Sequence, residues 1–455
     1  MKHHPHVPTA FKAEFSNWRQ WMGRAIVLAF AAIAGLTVVG FTWLTDHALA
    51  VFHGVQTAHW WFALAWTPAS AAAIVWLVRR YTPGAAGSGI PQVMASIEPS
   101  VHPHQRGLFV SLKLSFAKMF LCAWGLLAGL SLGREGPSVQ IAAGVLHHAR
   151  RWIPKEAQIS DQGLLIAGGA AGIAAAFNTP LGGVMFAIEE LSKGSERRNN
   201  GLIIAAIVLS GLMAVSVFGN ATYFGVIRVE DFGIALILPA LLVSVCSGLA
   251  GSVFSRLLVV SLAGTSQDRF SQFRAAYPVL FAALCGLLIV VVGLLSGGAT
   301  FGSGYSHSRG LLENQSETSS FYVLFKFLAT WLTSWSGVPG GIFAPALSIG
   351  GALGKDIADL TGYGNAPTLI ALGMAGFLAA ATQAPLTAFI IVMEMVDGHA
   401  LVLSLMTCTL LASGISRLIS NPLYPSLAQL QLLRLPTVPR TPDQKSAPQG
   451  PSESR

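Results

Sequence analysis

The chain has 455 residues, of which 53% are hydrophobic and only 11% are charged. Soluble domains carry about 25% charged residues, so this composition excludes an ordinary soluble protein and predicts a helical protein that crosses a membrane several times. The formal net charge is +8, but the basic residues cluster in tails and loops, which fits the positive-inside rule with both termini in the cytoplasm and does not favour nucleic acid as a partner.

Four runs without any charged residue are long enough to cross, or nearly cross, a hydrocarbon core of about 30 Å. They are residues 25–44, 202–218, 232–255 and 279–295. The first run is too long and too far from the N-terminus for a typical signal peptide, so it predicts the first spanning helix. The four cysteines fall singly in apolar segments, which indicates small core residues rather than disulfides or metal ligands.

Other apolar segments are short and are interrupted by glycine and proline. The interruptions are "GAAGSGIPQ" (84–92), "GREGP" (133–137), "FNTPLGG" (177–183), "GVPGGIFAP" (337–345) and "TQAPLT" (382–387). Backbone that leaves a helix at membrane depth is tolerated only where it is buried in protein or lines a watery cavity. Discontinuous helices mark the binding sites of transporters, so the five interruptions favour a transporter over a bundle of straight spans.

The chain also repeats itself. Two triplets share the offset 326 − 118 = 208: Lys118, Gly133 and Pro137 match Lys326, Gly341 and Pro345. Further on, "AAFNTPLGGVMFAIEE" (175–190) aligns with "AATQAPLTAFIIVMEM" (380–395) at the offset 385 − 180 = 205. The pattern predicts two related membrane repeats, 20–215 and 225–430, with a cytoplasmic N-terminal segment (1–19) and a cytoplasmic polar tail (431–455).

Three interruptions place a proline near a predicted helix start, at Pro91, Pro137 and Pro345. Proline is tolerated there because the missing N–H has no intrahelical partner to lose. The other N–H groups of a first turn, together with the positive end of the helix dipole, can bind an anion. Converging helix starts would coordinate an anion with partial charges alone, which allows release. Three ordinary helix starts in a bundle are the alternative.

The motifs "GSGIP" (87–91), "GREGP" (133–137) and "GIFAP" (341–345), in this order, resemble the signatures of the CLC family of chloride channels and chloride/proton antiporters. "NPLY" (421–424) extends the resemblance, which covers about residues 20–430. The resemblance implies an all-α polytopic membrane protein with two inverted-topology repeats of broken, tilted helices. It also implies a homodimer in which each subunit holds its own anion pathway. The prokaryotic type, without CBS domains, is expected.

The resemblance implies roles for individual residues. The implied chloride-binding residues are Ser88, Gly136, Ile342, Phe343 and Tyr424. Glu135 matches the external gating glutamate, which occupies an anion position when ionised and swings out with a proton when neutral. Glu190 matches the inner proton-transfer glutamate of exchangers, which channel members usually lack.

The remaining charged residues of apolar segments receive structural interpretations. Glu189 and its repeat partner Glu394 are expected to bond to helix ends. Lys118 and Lys326 are expected to be buried counter-charges, with a tuning of anion affinity as the alternative for Lys118. Arg134 is expected to support its loop and the local field rather than to carry the substrate.

The sequence therefore predicts a multi-pass protein of the bacterial inner membrane that exchanges chloride for protons, with voltage- and pH-sensitive transport. An uncoupled chloride channel of the same fold is the alternative. The expected partners are chloride, protons, the lipid bilayer and a second copy of the chain. No enzymatic activity, no metal and no cofactor other than bound chloride ions is expected. Ser88 argues against the nitrate-preferring pattern of the family, which has proline at that position. Ser88 and Tyr424 together argue against the fluoride-exporting branch.

Overall fold

The computed structural model describes residues 18–192, 200–219, 223–224, 233–264, 268–313, 319 and 321–435, so most of both predicted cytoplasmic end segments lies outside the described residues. The described residues form helices, turns and loops without a β-strand, as predicted. The principal helices are α1 (Trp18–Ala58), α2 (Phe62–Tyr81), α3 (Ile90–Ile97), α4 (Leu112–Leu127), α5 (Glu135–His148), α6 (Asp161–Phe177), α7 (Pro180–Phe186), α8 (Asn200–Phe218), α9 (Ile237–Ala263), α10 (Arg269–Ala276), α11 (Pro278–Leu295), α12 (Tyr305–Leu312), α13 (Tyr322–Ser336), α14 (Phe343–Thr361), α15 (Ala366–Thr382), α16 (Pro385–Met395), α17 (Val402–Ile419) and α18 (Leu423–Leu432).

Six helical stretches of the described chain are long and apolar enough to cross a membrane. They are Trp18–Ala58, Phe62–Tyr81, Gly201–Phe218, Ile234–Ala263, Pro278–Leu295 and His399–Ile419. Four of them contain or overlap the charge-free runs, so the prediction of a polytopic helical protein is confirmed. Large apolar side chains face outward, including Trp43 (58% exposed), Phe116 (68%) and Leu403 (73%), as expected of a surface that faces lipid.

The same helix break occurs once in each half. Asn178 (φ 57°) separates α6 from α7, which begins at Pro180, and Gln383 (φ 62°) separates α15 from α16, which begins at Pro385. In each break a left-handed residue ends the first helix and a proline starts the next one, which is a common way to stop and restart a helix. The repeat that the sequence shows at an offset of 383 − 178 = 205 is therefore also a repeat of backbone conformation.

Two carboxylates tie the halves together reciprocally. Each accepts two N–H groups from the first turn of a helix in the other half: Glu394 from Leu181 (3.1 Å) and Gly182 (2.7 Å), and Glu189 from Leu386 (3.1 Å) and Thr387 (2.7 Å). The prediction that both glutamates bond to helix ends is confirmed, and the negative charge lies where the helix dipole favours it. The matching distances show that a pseudo-two-fold rotation relates the two contacts.

A second reciprocal contact joins the loops that precede α5 and α14. Gly133 and Gly341 are repeat partners, and each donates its N–H to the carbonyl of the other at 2.7 Å in an isolated antiparallel bridge. Because equivalent residues exchange equivalent hydrogen bonds, the same two-fold relation holds here. The antiparallel pairing is compatible with the predicted inversion of the second repeat.

Lys118 and Lys326 are fully buried, as expected. Each ammonium group donates to two carbonyls of a glycine-rich loop: Lys118 to Ala85 (2.7 Å) and Gly87 (2.6 Å), and Lys326 to Thr300 (3.0 Å) and Gly302 (2.7 Å). The partners are thus backbone carbonyls rather than acidic side chains. These hydrogen bonds compensate the burial of the charge and hold the two loops in place.

Replacing Glu189 or Glu394 by glutamine is expected to lower the free energy of unfolding by a similar amount in both cases. Glutamine presents one amide NH2 group to a backbone N–H, so one charge-assisted hydrogen bond is lost, at a cost of about 1–3 kcal/mol. Thermal unfolding of the purified protein in detergent measures the change. Glu156→Gln is the control, because it removes only the exposed ion pair with Arg19. A loss confined to one of the two variants would contradict the reciprocal arrangement.

Candidate functional site

The starts of α3, α5 and α14 meet at one buried place. The Gly340 N–H donates to the Gly87 carbonyl at 3.2 Å, and the Gly133–Gly341 bridge completes the junction. The three helix starts lie too close together for side chains at these glycines. A Cβ atom at Gly136 would overlap the Ser88 hydroxyl, and one at Gly341 would lie 2.9 Å from the Gly136 nitrogen. The glycines of the three motifs therefore allow three helix N-termini to share one site.

A cavity of about 150 Å³ begins beside this junction and is called the Ser88 cavity here. Ser88, Ile342 and Tyr424 line its buried end, and the exposed Arg434 lines its other end, so the cavity leads from the protein surface to the hydroxyls. The Ser88 and Tyr424 hydroxyl oxygens are buried and lie close to each other, and neither has hydrogen-bond geometry with any partner in the described part of the chain. Two buried hydroxyls without partners can donate to a ligand in the cavity.

The other two predicted chloride-binding residues adjoin the Ser88 cavity without lining it. Phe343 is 2% exposed, and its ring stacks on the Tyr424 ring with the centroids 6.0 Å apart. It is also the first residue of α14, so its N–H has no intrahelical partner. Gly136 lies in the first turn of α5, against Ser88. Both residues can contribute through their backbone N–H groups only.

Glu135 is the first residue of α5 and is fully buried. Its Oε2 atom accepts the N–H of Ala344, in the first turn of α14, at 3.4 Å, while Oε1 has no partner among the described residues. The side chain thus bridges the start of one helix and the start of its repeat counterpart. A carboxylate in this position is stabilised by the same N–H groups and helix dipole that would bind any other anion.

The side-chain partners of Arg134 are residues other than Glu135. It forms an ion pair with Asp46, and its Nη2 atom donates to the Tyr223 hydroxyl at 3.0 Å. With Asp46, Tyr223 and Arg309 it lines a second cavity of about 250 Å³, the Arg134 cavity. Glu135 itself lines neither cavity. The residue before it, Arg134, lines the Arg134 cavity, and the residue after it, Gly136, contacts Ser88, which lines the Ser88 cavity. The Glu135 carboxylate is therefore buried between the two cavities.

Adjacent glutamates after α7 face different surroundings. Residues Ala187–Leu191 form one turn of π-helix, a feature that often occurs at functional sites. Within this turn Glu189 reaches the start of α16, whereas Glu190 is 3% exposed and lies close enough to Tyr424 for their charges to interact. The structure thus places Glu190 on the Tyr424 side of the site, separate from the structural role of Glu189.

One element of the site is not evident from the sequence motifs alone. The triplet "GSG" of residues 87–89 recurs at 302–304, and in both copies the first glycine carbonyl binds the buried lysine. Ser303, the counterpart of Ser88, accepts the N–H of Tyr305, the first residue of α12, at 3.3 Å. The sequence signal for this element was the repeated triplet. In the second half the triplet is followed by "YS" instead of "IP". Of the two serines, the one with an unpartnered hydroxyl is Ser88.

Duplicated, discontinuous helices whose first turns meet at a buried site define a polytopic membrane protein of the broken-helix class. The family model described as Voltage gated chloride channel matches residues 70–417. The chain therefore belongs to the voltage-gated chloride channel family, and the resemblance of its motifs to the CLC family is confirmed.

Relatives of known name match most of the chain. The H(+)/Cl(-) exchange transporter ClcA of Cronobacter sakazakii is 30% identical over 420 residues, which cover 87% of this chain and 86% of that protein. The protein of the same name from Citrobacter koseri is 30% identical over 439 residues, with 89% and 88% covered. Both names describe exchange of chloride and protons by those proteins.

Solved structures share the fold. A slow cyanobacterial Cl-/H+ antiporter superposes with a TM-score of 0.77 at 23% identity and covers 91% of this chain and 98% of its own. A CLC-type fluoride/proton antiporter superposes with a TM-score of 0.73 at 22% identity, with 89% and 97% covered. The all-helical CLC-type architecture expected from the sequence is therefore confirmed.

Gly133→Ala is expected to displace the Glu135 carboxylate without changing its chemistry. The new methyl group would overlap Oε2 of Glu135 and lie 3.1 Å from Cδ of Pro345, so the side chain must leave the Ala344 N–H. A crystal structure in bromide measures the result, because an anion bound at the freed N–H groups gives an anomalous signal. Gly40→Ala is the matched control, since no atom lies within 4 Å of its Cβ. A Gly133→Ala structure with the carboxylate still at Ala344 would contradict the arrangement.

Proposed function

We propose that this chain exchanges chloride for protons across a membrane. The observation that carries the proposal is the Glu135 carboxylate, which lies between two cavities and accepts an N–H from the first turn of α14. A carboxylate is itself an anion, so the ionised side chain occupies a place that chloride can otherwise take. Protonation removes this attraction. Chloride and a proton therefore compete through one side chain, and exchange in the named relatives supports the same activity here.

Chloride binds at the buried end of the Ser88 cavity. The hydroxyls of Ser88 and Tyr424 donate to it, and the first-turn N–H groups of Ile342 and Phe343 complete the site. A buried hydroxyl without a partner costs about 1–3 kcal/mol, and a bound anion removes that cost for both hydroxyls at once. Since the donors are dipoles rather than fixed cations, the ion is held weakly enough to leave. Gly136 contributes the first-turn N–H of α5 on the side of Glu135.

The proton path uses two carboxylates. Glu135 takes up a proton on the side of the Arg134 cavity, leaves the start of α14 and opens the way between the two cavities. Glu190 delivers or accepts the proton on the other side, where its charge interacts with Tyr424. An uncoupled channel would need no second buried carboxylate at this place, so the burial of Glu190 (3% exposed) favours exchange over channel activity.

The proposed setting is the inner membrane of a bacterium, with both termini in the cytoplasm. Arg19 and Arg24 at the start of α1 and Arg79 and Arg80 at the end of α2 support this orientation, because cytoplasmic ends carry the excess of basic residues. The protein works in the lipid bilayer as a homodimer with one pathway in each subunit. It uses bound chloride ions and no other cofactor or metal, and it converts no substrate chemically.

Glu135→Gln is expected to abolish proton coupling and to remove most of the pH dependence of chloride flux. Glutamine has the same size but does not titrate, and as a neutral group it competes weakly for the N–H groups of α14. Reversal potentials and proton uptake in liposomes under a chloride gradient measure both effects. A well-folded Glu135→Gln protein that still moves protons uphill would overturn the proposed function.

Glu190→Gln is expected to reduce proton movement at least tenfold while chloride still moves, because the inner titrating group is lost. The neighbouring Glu189→Gln is the matched control: it removes a carboxylate from the same turn, but one that holds α16. Proton uptake, chloride efflux and thermal unfolding are measured on both variants. If Glu190 is only structural, the variant will lose stability and keep its coupling, as expected for Glu189→Gln.

A further inference from the structure

Another cavity, of about 440 Å³, lies between the start of α4 and the end of α5 and is called the Lys113 cavity here. Its volume is within the range of about 300–1,000 Å³ that is usual for small-molecule sites. The basic residues that line it are Lys113, His147, His148, Arg150 and Arg151. Its lining residues all belong to the described chain, and none of them is acidic. The cavity therefore presents positive charge and N–H donors to a ligand.

The basic side chains around the Lys113 cavity differ in their partners. Asp161, at the start of α6, forms ion pairs with Arg106 (3.0 Å) and with Nε of Arg150 (3.1 Å). The Lys113 and Arg151 side chains are exposed and form neither a hydrogen bond nor an ion pair with the described residues. Basic residues are common at cytoplasmic helix ends, but that tendency alone does not bring them together in the wall of one cavity. Two unpaired cations in a concave site favour an anionic ligand.

The Lys113 cavity lies beside an interfacial tryptophan. Trp152 follows Arg151 and is 52% exposed, and its ring packs against the His148 ring with the centroids 5.0 Å apart. Tryptophan is enriched at membrane–water interfaces, where its ring lies at the level of the lipid headgroups. The same segment pairs with the start of the first span, because Arg19 binds Glu156 at 2.7 Å. The residues that follow α5 therefore lie in the headgroup region.

One face of α4 leads from the Lys113 cavity along the lipid-facing surface. Lys113, Phe116 and Phe120 are spaced by three and four residues, so they lie on the same face of the helix. All three are exposed, Phe116 to 68% and Phe120 to 61%. At a rise of 1.5 Å per residue, Phe120 lies about 10 Å from Lys113 along the helix. A free phosphate ion would not contact this apolar face, whereas the acyl chains of a lipid would pack on it.

We propose that the Lys113 cavity binds the phosphate headgroup of an anionic membrane lipid, whose acyl chains lie along Phe116 and Phe120. Lys113 and Arg151 donate charge-assisted hydrogen bonds to the phosphate oxygens. A zwitterionic lipid binds less tightly, because its own cationic group meets the same basic side chains. None of these residues lines the Ser88 cavity or the Arg134 cavity, so the lipid site is independent of the proposed exchange of chloride and protons.

The test measures the binding of single lipids to the full chain in detergent by native mass spectrometry. Dioleoyl phosphatidylglycerol is the anionic probe, and dioleoyl phosphatidylcholine is the zwitterionic one. Lys113→Gln and Arg151→Gln are each expected to weaken the tightest phosphatidylglycerol site about 5-fold, which is the contribution of one basic residue near a lipid surface. Lys113→Arg keeps the charge and is expected to retain most of the affinity. Phosphatidylcholine binding should be the same in all variants.

Two controls separate this site from general attraction and from a site for soluble phosphate. Arg269 is an exposed arginine between the spans α9 and α11, as Arg151 is between α5 and α6, but it does not line the cavity. Arg269→Gln is therefore the matched control and should leave phosphatidylglycerol binding unchanged. An excess of glycerol 3-phosphate, the free headgroup, should not displace the lipid, because it lacks the chains that contact α4.

The proposal is overturned if phosphatidylglycerol binds Lys113→Gln and Arg151→Gln as tightly as the wild type. It is also overturned if both lipids weaken equally, or if Arg269→Gln weakens phosphatidylglycerol binding as much as the cavity variants do. Displacement by glycerol 3-phosphate would show a site for a soluble phosphate ester and would refute the lipid assignment. If one of the two glutamine variants fails to fold, the other decides the proposal.

Discussion

The structure depends on the pair of hydrogen bonds that Gly133 and Gly341 exchange. These two bonds hold the starts of α5 and α14 side by side, at a separation that only glycine permits. Two helix N-termini so close would repel each other through their dipoles, and the backbone bridge and a shared negative group offset that repulsion. The need for an anion at this point is therefore a consequence of how the halves are joined, and Glu135 supplies it when no other anion does.

The two halves share their structural contacts, but their residues at the site differ. The reciprocal glutamates and the buried lysines occur at equivalent positions in both halves, because each of them forms hydrogen bonds to backbone groups. At the site the repeat partners diverge. Glu135 corresponds to Phe343, since 343 − 135 = 208, so one half has a titrating side chain where the other half has an aromatic ring. The Ser88 hydroxyl has no hydrogen-bond partner among the described residues, whereas the Ser303 hydroxyl accepts the Tyr305 N–H. The repeat places the junction of the helix starts between the two cavities. The residues that differ between the halves make the two sides of this junction chemically different.

Much of this arrangement could be predicted from the sequence, for identifiable reasons. Glycine and proline mark helix ends through local sterics, so the breaks at 133–137, 177–183 and 382–387 were visible, and the offsets of 208 and 205 gave the repeat. The partners of Lys118 and Lys326 were not predictable, because every residue has a backbone carbonyl and the sequence does not show which carbonyls a lysine contacts. The second "GSG" loop carried a signal but lacked the proline that marks a helix start. The contacts of Arg134 with Asp46 and Tyr223 depend on tertiary packing between distant segments, which no local pattern reports.

The distribution of satisfied and unsatisfied polar groups follows from transport itself. Glu189, Glu394 and both lysines each form two hydrogen bonds to the backbone, and these bonds stabilise the protein. Ser88, Tyr424 and one oxygen of Glu135 lack partners among the described residues, and the hydrogen bonds that join the two halves can offset this cost in stability. A site whose donors were already paired would bind no ion, and one with a fixed cation at its centre would not release it. Dipoles such as hydroxyls and first-turn N–H groups are therefore suited to the centre of the pathway.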